Sequence, residues 1–199
     1  MIIGVINIKG GVGKTTSSLA IATAAQRSGL SVTVVDTDPQ GSATLWAQAA
    51  EDADDPLPFP VVSRNQAEIR RMRERRPDRD GELIVIDTPP NGSVVDEAIK
   101  TADFVVIPTL SSPIDLQQTM LTAAQCQDAG KDYAVLIVMA RKGTNALRAF
   151  RTAVEEYGAG IFDTEIPLRE DFKADFGHTF RSNLNGYEDV WNELRGELR

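Results

Sequence analysis

The residues best suited to chemistry are Lys9-Gly10-Gly11-Val12-Gly13-Lys14-Thr15-Thr16, directly behind the apolar run Ile2-Ile3-Gly4-Val5-Ile6. An extended run, a glycine-rich turn and a helix start let successive backbone N–H groups turn inward onto phosphate oxygens. The positive end of the helix dipole lies behind them. Lys14 can reach β- and γ-phosphates, and the Thr15 hydroxyl can complete a Mg²⁺ shell. The general pattern G-x-x-x-x-G-K-[ST] places glycine at position 8, where this chain has Ile8, and Lys9 stands at the loop entrance. Lys14 already serves the subunit's own nucleotide. Lys9 is then either a solvated surface lysine or a group that reaches the phosphates of a second copy packed face to face. The second option makes dimerisation depend on the γ-phosphate.

Two further segments end in acids. Ser31-Val32-Thr33-Val34-Val35-Asp36 leads into Thr37-Asp38-Pro39-Gln40-Gly41, and Leu83-Ile84-Val85-Ile86-Asp87 leads into Thr88-Pro89-Pro90. In a parallel sheet, ligands bind beyond the carboxyl ends of the strands. Asp36 and Asp87 there can hold Mg²⁺ directly or through water, because this ion keeps several waters and uses few carboxylates. Asp38, just past its strand, is a candidate to orient or activate the attacking water. One such aspartate alone reads as a cap or turn residue; three on two strand ends beside a phosphate loop point to function.

Taken together, Asn7 to Thr16, Val35 to Gly41 and Ile86 to Pro90 resemble the deviant Walker ATPases of the ParA/MinD class. They are most similar to short ParA partition ATPases without an N-terminal DNA-binding domain. Weaker matches continue through Phe104-Val105-Val106-Ile107-Pro108, Ser112-Pro113-Ile114-Asp115 and Glu165-Ile166-Pro167-Leu168-Arg169. The resemblance implies a three-layer α/β P-loop NTPase fold, with a mostly parallel, twisted sheet flanked by helices on both faces. It implies ATP/ADP and Mg²⁺ as cofactors, with nucleotide held by Lys9, Gly10, Gly11, Val12, Gly13, Lys14, Thr15 and Thr16. Lys9 would contact the partner's nucleotide, Asp38 would serve hydrolysis, and Thr15, Asp36 and Asp87 would surround the metal. The stretch at Pro167 and Leu168 would pack on adenine. The implied activity is slow ATP hydrolysis driving an ATP-dependent homodimer that binds DNA nonspecifically. With a ParB-like centromere-binding partner, that dimer would segregate plasmid or chromosomal DNA. The alternative is a MinD-like or ParA-like ATPase that positions a non-DNA assembly. The expected location is the cytoplasm, on the nucleoid when ATP is bound.

Elements that position these residues are legible as alternating runs. Residues 2–6, 31–35, 83–86, 104–107 and 134–139 are short, continuous and rich in β-branched residues, which suits strands buried on both faces. Helical candidates between them are Thr16–Arg27, Ala43–Ala50, Gln66–Arg76, Val94–Thr101, Leu116–Asp128 and Ala146–Tyr157; most are closed by a following glycine or proline. Such alternation predicts a mostly parallel sheet with right-handed crossovers. The stretch from Asp54 to Pro60 reads as a loop.

The chain has 199 residues, 42% apolar and 25% charged, ordinary for one globular domain spanning 1–199. No apolar run approaches the roughly 18 residues of a membrane span. Met1 leads straight into the first strand, so no signal peptide is expected, and the single Cys126 excludes an internal disulfide and points to a reducing compartment. Net charge is −8, yet residues 64–79 carry seven arginines against three acids, a local +4. Arg70, Arg71, Arg73, Arg75 and Arg76 are one candidate DNA surface; the other reading is a solvated helix face. Arg141, Lys142, Arg148, Arg151, Lys173 and Arg181 are further cations. His178 reads as a surface or capping residue, Cys126 as a packed residue, and Trp191, Leu194 and Leu198 as a helix docking on the core. A membrane-cycling role fits poorly, since residues 188–199 hold four acids against two arginines. A cluster carrier needs at least two cysteines. A small-molecule ligase on this fold remains a third option.

Overall fold

The structure, a computed structural model, describes residues 1–74, 81–169 and 175–197. Six strands, β1 (Ile2–Val5), β2 (Ser31–Asp36), β3 (Val61–Ser63), β4 (Glu82–Asp87), β5 (Phe104–Thr109) and β6 (Asp132–Ile137), form one sheet in the order β3-β2-β4-β1-β5-β6. Every neighbouring pair is parallel. Seven helices lie among the described residues: α1 (Lys14–Arg27), α2 (Ser42–Asp52), α3 (Gln66–Glu74), α4 (Ser93–Thr101), α5 (Pro113–Asp128), α6 (Asn145–Glu156) and α7 (Tyr187–Glu197).

The period of two along each strand feeds two cores. Ile3, Val5, Val34, Val85 and Val106 point to one face, under Leu19 and Ile21 of α1, Trp46 of α2, and Trp191 and Leu194 of α7. Ile2, Ile6, Ile86, Val105 and Ile107 point to the other, against Ile69 of α3, Val95 and Ile99 of α4, and Ala123 and Cys126 of α5. Because both faces are covered, the strand runs carry no polar alternation. Cys126 is fully buried, and burial pushes its thiol up to about 12. The expected docking of the C-terminal helix is present: Trp191 Nε1 donates to Ser28 Oγ at 3.0 Å, and Tyr187 shares a 2.8 Å hydroxyl bond with Ser17. Leu198 lies outside the described residues.

Several boundaries differ from the sequence expectation. β3 is an edge strand of three residues that pairs only with β2, too short to register as an apolar run. β6 starts two residues early and ends at Ile137, and Met139 then turns the chain with φ 52°. α5 begins at Pro113 rather than Leu116, because Ser112 and Asp115 form a reciprocal capping box with Pro113 in the first turn. α3 is described to Glu74, and the expected continuation to Arg76 lies outside the described residues. His178 is exposed, with Nδ1 3.4 Å from Asp55 Oδ2.

Candidate nucleotide-binding site

The order β4-β1-β5 places the loop after β1 between two other strand ends. Asn7 fixes the root of this loop: its Nδ2 donates to the Pro108 carbonyl at 2.9 Å, and its Oδ1 accepts from Lys9 N at 2.9 Å. Gly11 and Gly13 take φ values of 76° and 73°, a left-handed conformation that costs other residues about 1–2 kcal/mol. A Cβ at Gly10 or Gly11 would meet no atom within 4 Å, so the loop borders open space there. Val12 is fully buried and anchors the turn from below.

Lys14 opens α1, followed by Thr15 and Thr16 in its first turn. Its ammonium folds back over the loop and donates to the Lys9 carbonyl at 2.8 Å. It is 7% exposed, and among the described residues no carboxylate pairs with it. Burial lowers its pKa, while Asp87 and Asp38 act through space in the opposite direction. A buried cation satisfied only by a carbonyl is a ready acceptor site for an anion.

Register brings the acids to the same end of the sheet: Val5 and Asp36 each lie opposite Asp87. Asp87 is fully buried; it accepts from Thr15 Oγ1 at 2.8 Å and from Ser18 Oγ at 3.0 Å. Burial raises its pKa to about 7, with Asp36 adding to the shift and Thr15, Ser18 and Lys14 opposing it. Asp36 is also fully buried. Its Oδ1 accepts from Asp38 N at 3.1 Å, and its Oδ2 from Thr44 N at 2.9 Å and Thr44 Oγ1 at 2.8 Å. It therefore ties the loop after β2 to the first turn of α2. Asp38 is half-buried, its Oδ1 held by Gln40 N at 2.9 Å, and it lines a cleft of about 390 Å³ with Arg64, Gln66 and Val94. No cluster of three or more His, Cys, Asp or Glu side chains among the described residues could cage a metal. Thr15 and Asp87 instead offer a hydroxyl and a carboxylate, a donor set that fits Mg²⁺ taking the rest of its shell from phosphate and water.

In the single chain the Lys9 ammonium bonds to the carboxylate of Asp115, which is 2% exposed at the start of α5. Ser112 donates to the same carboxylate through its hydroxyl and, at 3.2 Å, its N–H. Burial pushes Asp115 up, but the hydrogen bonds from Lys9 and Ser112 outweigh it and hold the carboxyl below its ordinary range. Asp115 was visible in the sequence as the end of an S-x-x-D capping signal at Ser112, yet nothing there linked it to Lys9, 106 positions away.

At the far side, Pro167 bridges to Ala140 beyond the end of β6, and Leu168 N donates to the Ala140 carbonyl at 3.1 Å. Leu168 is exposed, as is Met139 nearby. The arginine helix is less free than its composition suggests. Arg73 reaches Glu97 of α4 at 2.9 Å, and Arg70 and Arg64 lie 3.9 and 3.6 Å from Glu74 and Glu68. Arg71 is exposed, and Arg75 and Arg76 lie outside the described residues.

A parallel α/β sheet with a glycine loop, a folded-back lysine and a threonine–aspartate pair at its carboxyl edge defines a phosphate-binding-loop protein. Across residues 3–179 the chain matches the CobQ/CobB/MinD/ParA nucleotide-binding domain, and it belongs to that family. Among its relatives, "Maintenance of carboxysome distribution protein A" of Gloeobacter kilaueensis is 34% identical over 83% of this chain and 76% of that protein. The protein of the same name from Halothiobacillus neapolitanus is 29% identical over 86% and 81%. Protein ParA of Rhizobium radiobacter is 27% identical over 99% of this chain and 90% of its own length. The fold is shared with a putative plasmid partition protein of Borrelia burgdorferi bound to AMPPNP, at TM-score 0.74 and 18% identity over 98% of each chain. No helix among the described residues is long and apolar enough to cross a membrane.

Proposed function

We propose that this chain is an ATP-driven positioning switch of the ParA type whose cargo is a large non-DNA cellular assembly, and that residues 1–199 act as one ATPase domain. The observation that carries the ATPase reading is Lys14: a buried ammonium without an ionic partner among the described residues, bent across an open glycine cradle next to Thr15 and Asp87. The cargo reading draws on the two relatives named for carboxysome distribution.

In this reading, loop N–H groups and Lys14 bind the triphosphate, and Thr15, Asp87 and, through water, Asp36 would hold Mg²⁺, which would supply positive charge to offset the charge developing on the phosphoryl group. Asp38, fixed by its own turn, holds the attacking water. Lys9 crosses to the nucleotide of a second copy, so two chains close around two nucleotides. Pro167 and Leu168 cover the adenine. Hydrolysis then returns separate chains, slowly until a partner protein completes the site.

Nonspecific DNA serves as the track, with Arg70 and Arg71 of α3 as one contact surface. Doubling a weak basic surface on dimerisation raises avidity without new contacts. A second reading, segregation of plasmid or chromosomal DNA with a ParB-like centromere-binding partner, is favoured by the ParA relative that aligns over nearly the whole chain. Hydrolysis should be measured with and without random-sequence duplex DNA at two salt concentrations. Stimulation that fades with salt supports the track; indifference to DNA contradicts it. Deleting the gene separates the cargoes: mispositioned assemblies with stable plasmids support the first reading, and plasmid loss supports the second.

A further inference from the structure

We propose that Asp115 is the resting-state holder of Lys9, so that a second copy closing over nucleotide must draw this ammonium away from a buried carboxylate. The inference deepens the reading above and rests on it, because it assumes that Lys9 crosses between chains.

Three features of the geometry support it. First, the backbone of Lys9 is fixed at both ends: its N–H donates to Asn7 and its carbonyl accepts from Lys14. Only the side chain is free to swing, so release of Lys9 need not disturb the phosphate loop. Second, Asp115 is 2% exposed while the Lys9 side chain is 28% exposed. The ammonium lies on the solvent side of the pair and can leave; the carboxylate cannot follow. Third, once Lys9 leaves, Asp115 keeps, among the described residues, only the hydroxyl and N–H of Ser112 as compensation. Helix dipoles stabilise such a charge only in part, and a buried charge stripped of its counter-ion is strongly unfavourable.

The cost of uncovering Asp115 therefore enters the dimerisation equilibrium. A partner triphosphate, with its high charge, can repay it; a diphosphate offers less to Lys9. Asp115 is in this sense a positioning residue: it acts through Lys9 and sets how much nucleotide and protein are required before two chains close.

Asp115→Asn tests the idea, since asparagine keeps the size and capping ability of the residue but releases the ammonium. Sedimentation with Mg²⁺ and a non-hydrolysable ATP analogue, with ADP affinity and melting temperature as checks of folding, should show half-dimerisation at a protein concentration at least about tenfold lower than in the native chain. Lys9→Ala and the double variant should stay monomeric. If Asp115→Asn dimerises no more readily than the native chain while Lys9→Ala stays monomeric, the holder role is wrong and the cross-subunit reading survives. If Lys9→Ala dimerises like the native chain, the reading beneath both is wrong. A second measurement needs no variant. In the nucleotide-free native chain, an amine-acetylating reagent followed by peptide mass spectrometry should modify Lys9 at least about fivefold more slowly than exposed Lys142, because the bond to Asp115 holds the Lys9 amine against a buried carboxylate and away from the reagent. Equal rates would overturn the proposal even if Asp115→Asn did not fold.

Discussion

The most quantitative consequence of the site is that the empty protein is destabilised by its own Asp87. The carboxyl has an ordinary value near 3.8 and is raised to about 7 by burial. Between those values the unfolded chain has already released the proton and the folded chain still holds it. Stability therefore falls as pH rises through this window and levels off above the folded value. From pH 5 to 8 two pH units of the window are crossed at about 1.4 kcal/mol each, a loss of about 3 kcal/mol. For a chain of this size that corresponds to about 6–12 °C in melting temperature. Asp87→Asn removes the titration while its amide can still meet the Thr15 and Ser18 hydroxyls. Differential scanning calorimetry of both proteins, free of nucleotide and in EDTA, should show the native chain losing this much relative to the variant between pH 5 and 8. Subtracting the variant cancels the titrating groups that do not interact with Asp87. Melting curves that stay parallel over the range would show that burial does not govern this carboxyl.

Three further outcomes follow from the same geometry. Lys14→Met should weaken ATP binding by about 10- to 100-fold in calorimetric titration, the range of a charge-assisted phosphate contact; the empty chain should not melt lower, because a buried unpaired cation has been removed. Asp38→Ala should bind ATP normally but hydrolyse it at least about 100-fold more slowly, the scale of a lost general base or water-orienting group; near-native turnover would remove Asp38 from the chemistry. Reversing Arg70 and Arg71 to glutamate should lower both the affinity for duplex DNA with ATP bound and its salt dependence; unchanged values would identify α3 as a solvated face.

Much of this was legible in the sequence. Continuous β-branched runs announce strands buried on both faces and mark five of the six, whereas β3 is a three-residue edge strand whose Val61 and Val62 are only partly buried, and it left no such mark. The loop from Lys9 to Thr16 and the acids at 36, 38 and 87 could be located because the roles depend on local spacing and on which strand end each residue follows. The partners of these residues could not. That Asp36 clamps α2 through Thr44, that Ser18 joins Thr15 on Asp87, and that Arg73 turns inward to Glu97 all depend on which helix packs beside which strand. The pairing of Lys9 with Asp115 is the clearest case: a signature residue and an ordinary-looking helix cap meet only because β5 lies next to β1. The likeness to relatives was legible too, but cargo leaves no trace in the phosphate loop: the spacing of Lys9, Lys14 and Thr15 serves the nucleotide alone.

The proposed switch depends on two chains closing around nucleotide through Lys9. Light scattering of the native chain with Mg²⁺ and a non-hydrolysable ATP analogue tests this most directly. The mass should double from 21.6 kDa with the analogue, while Lys9→Ala, binding the same nucleotide, should stay at the single-chain value. A native chain that remains single when saturated with the analogue, or a Lys9→Ala chain that doubles as readily, would contradict it.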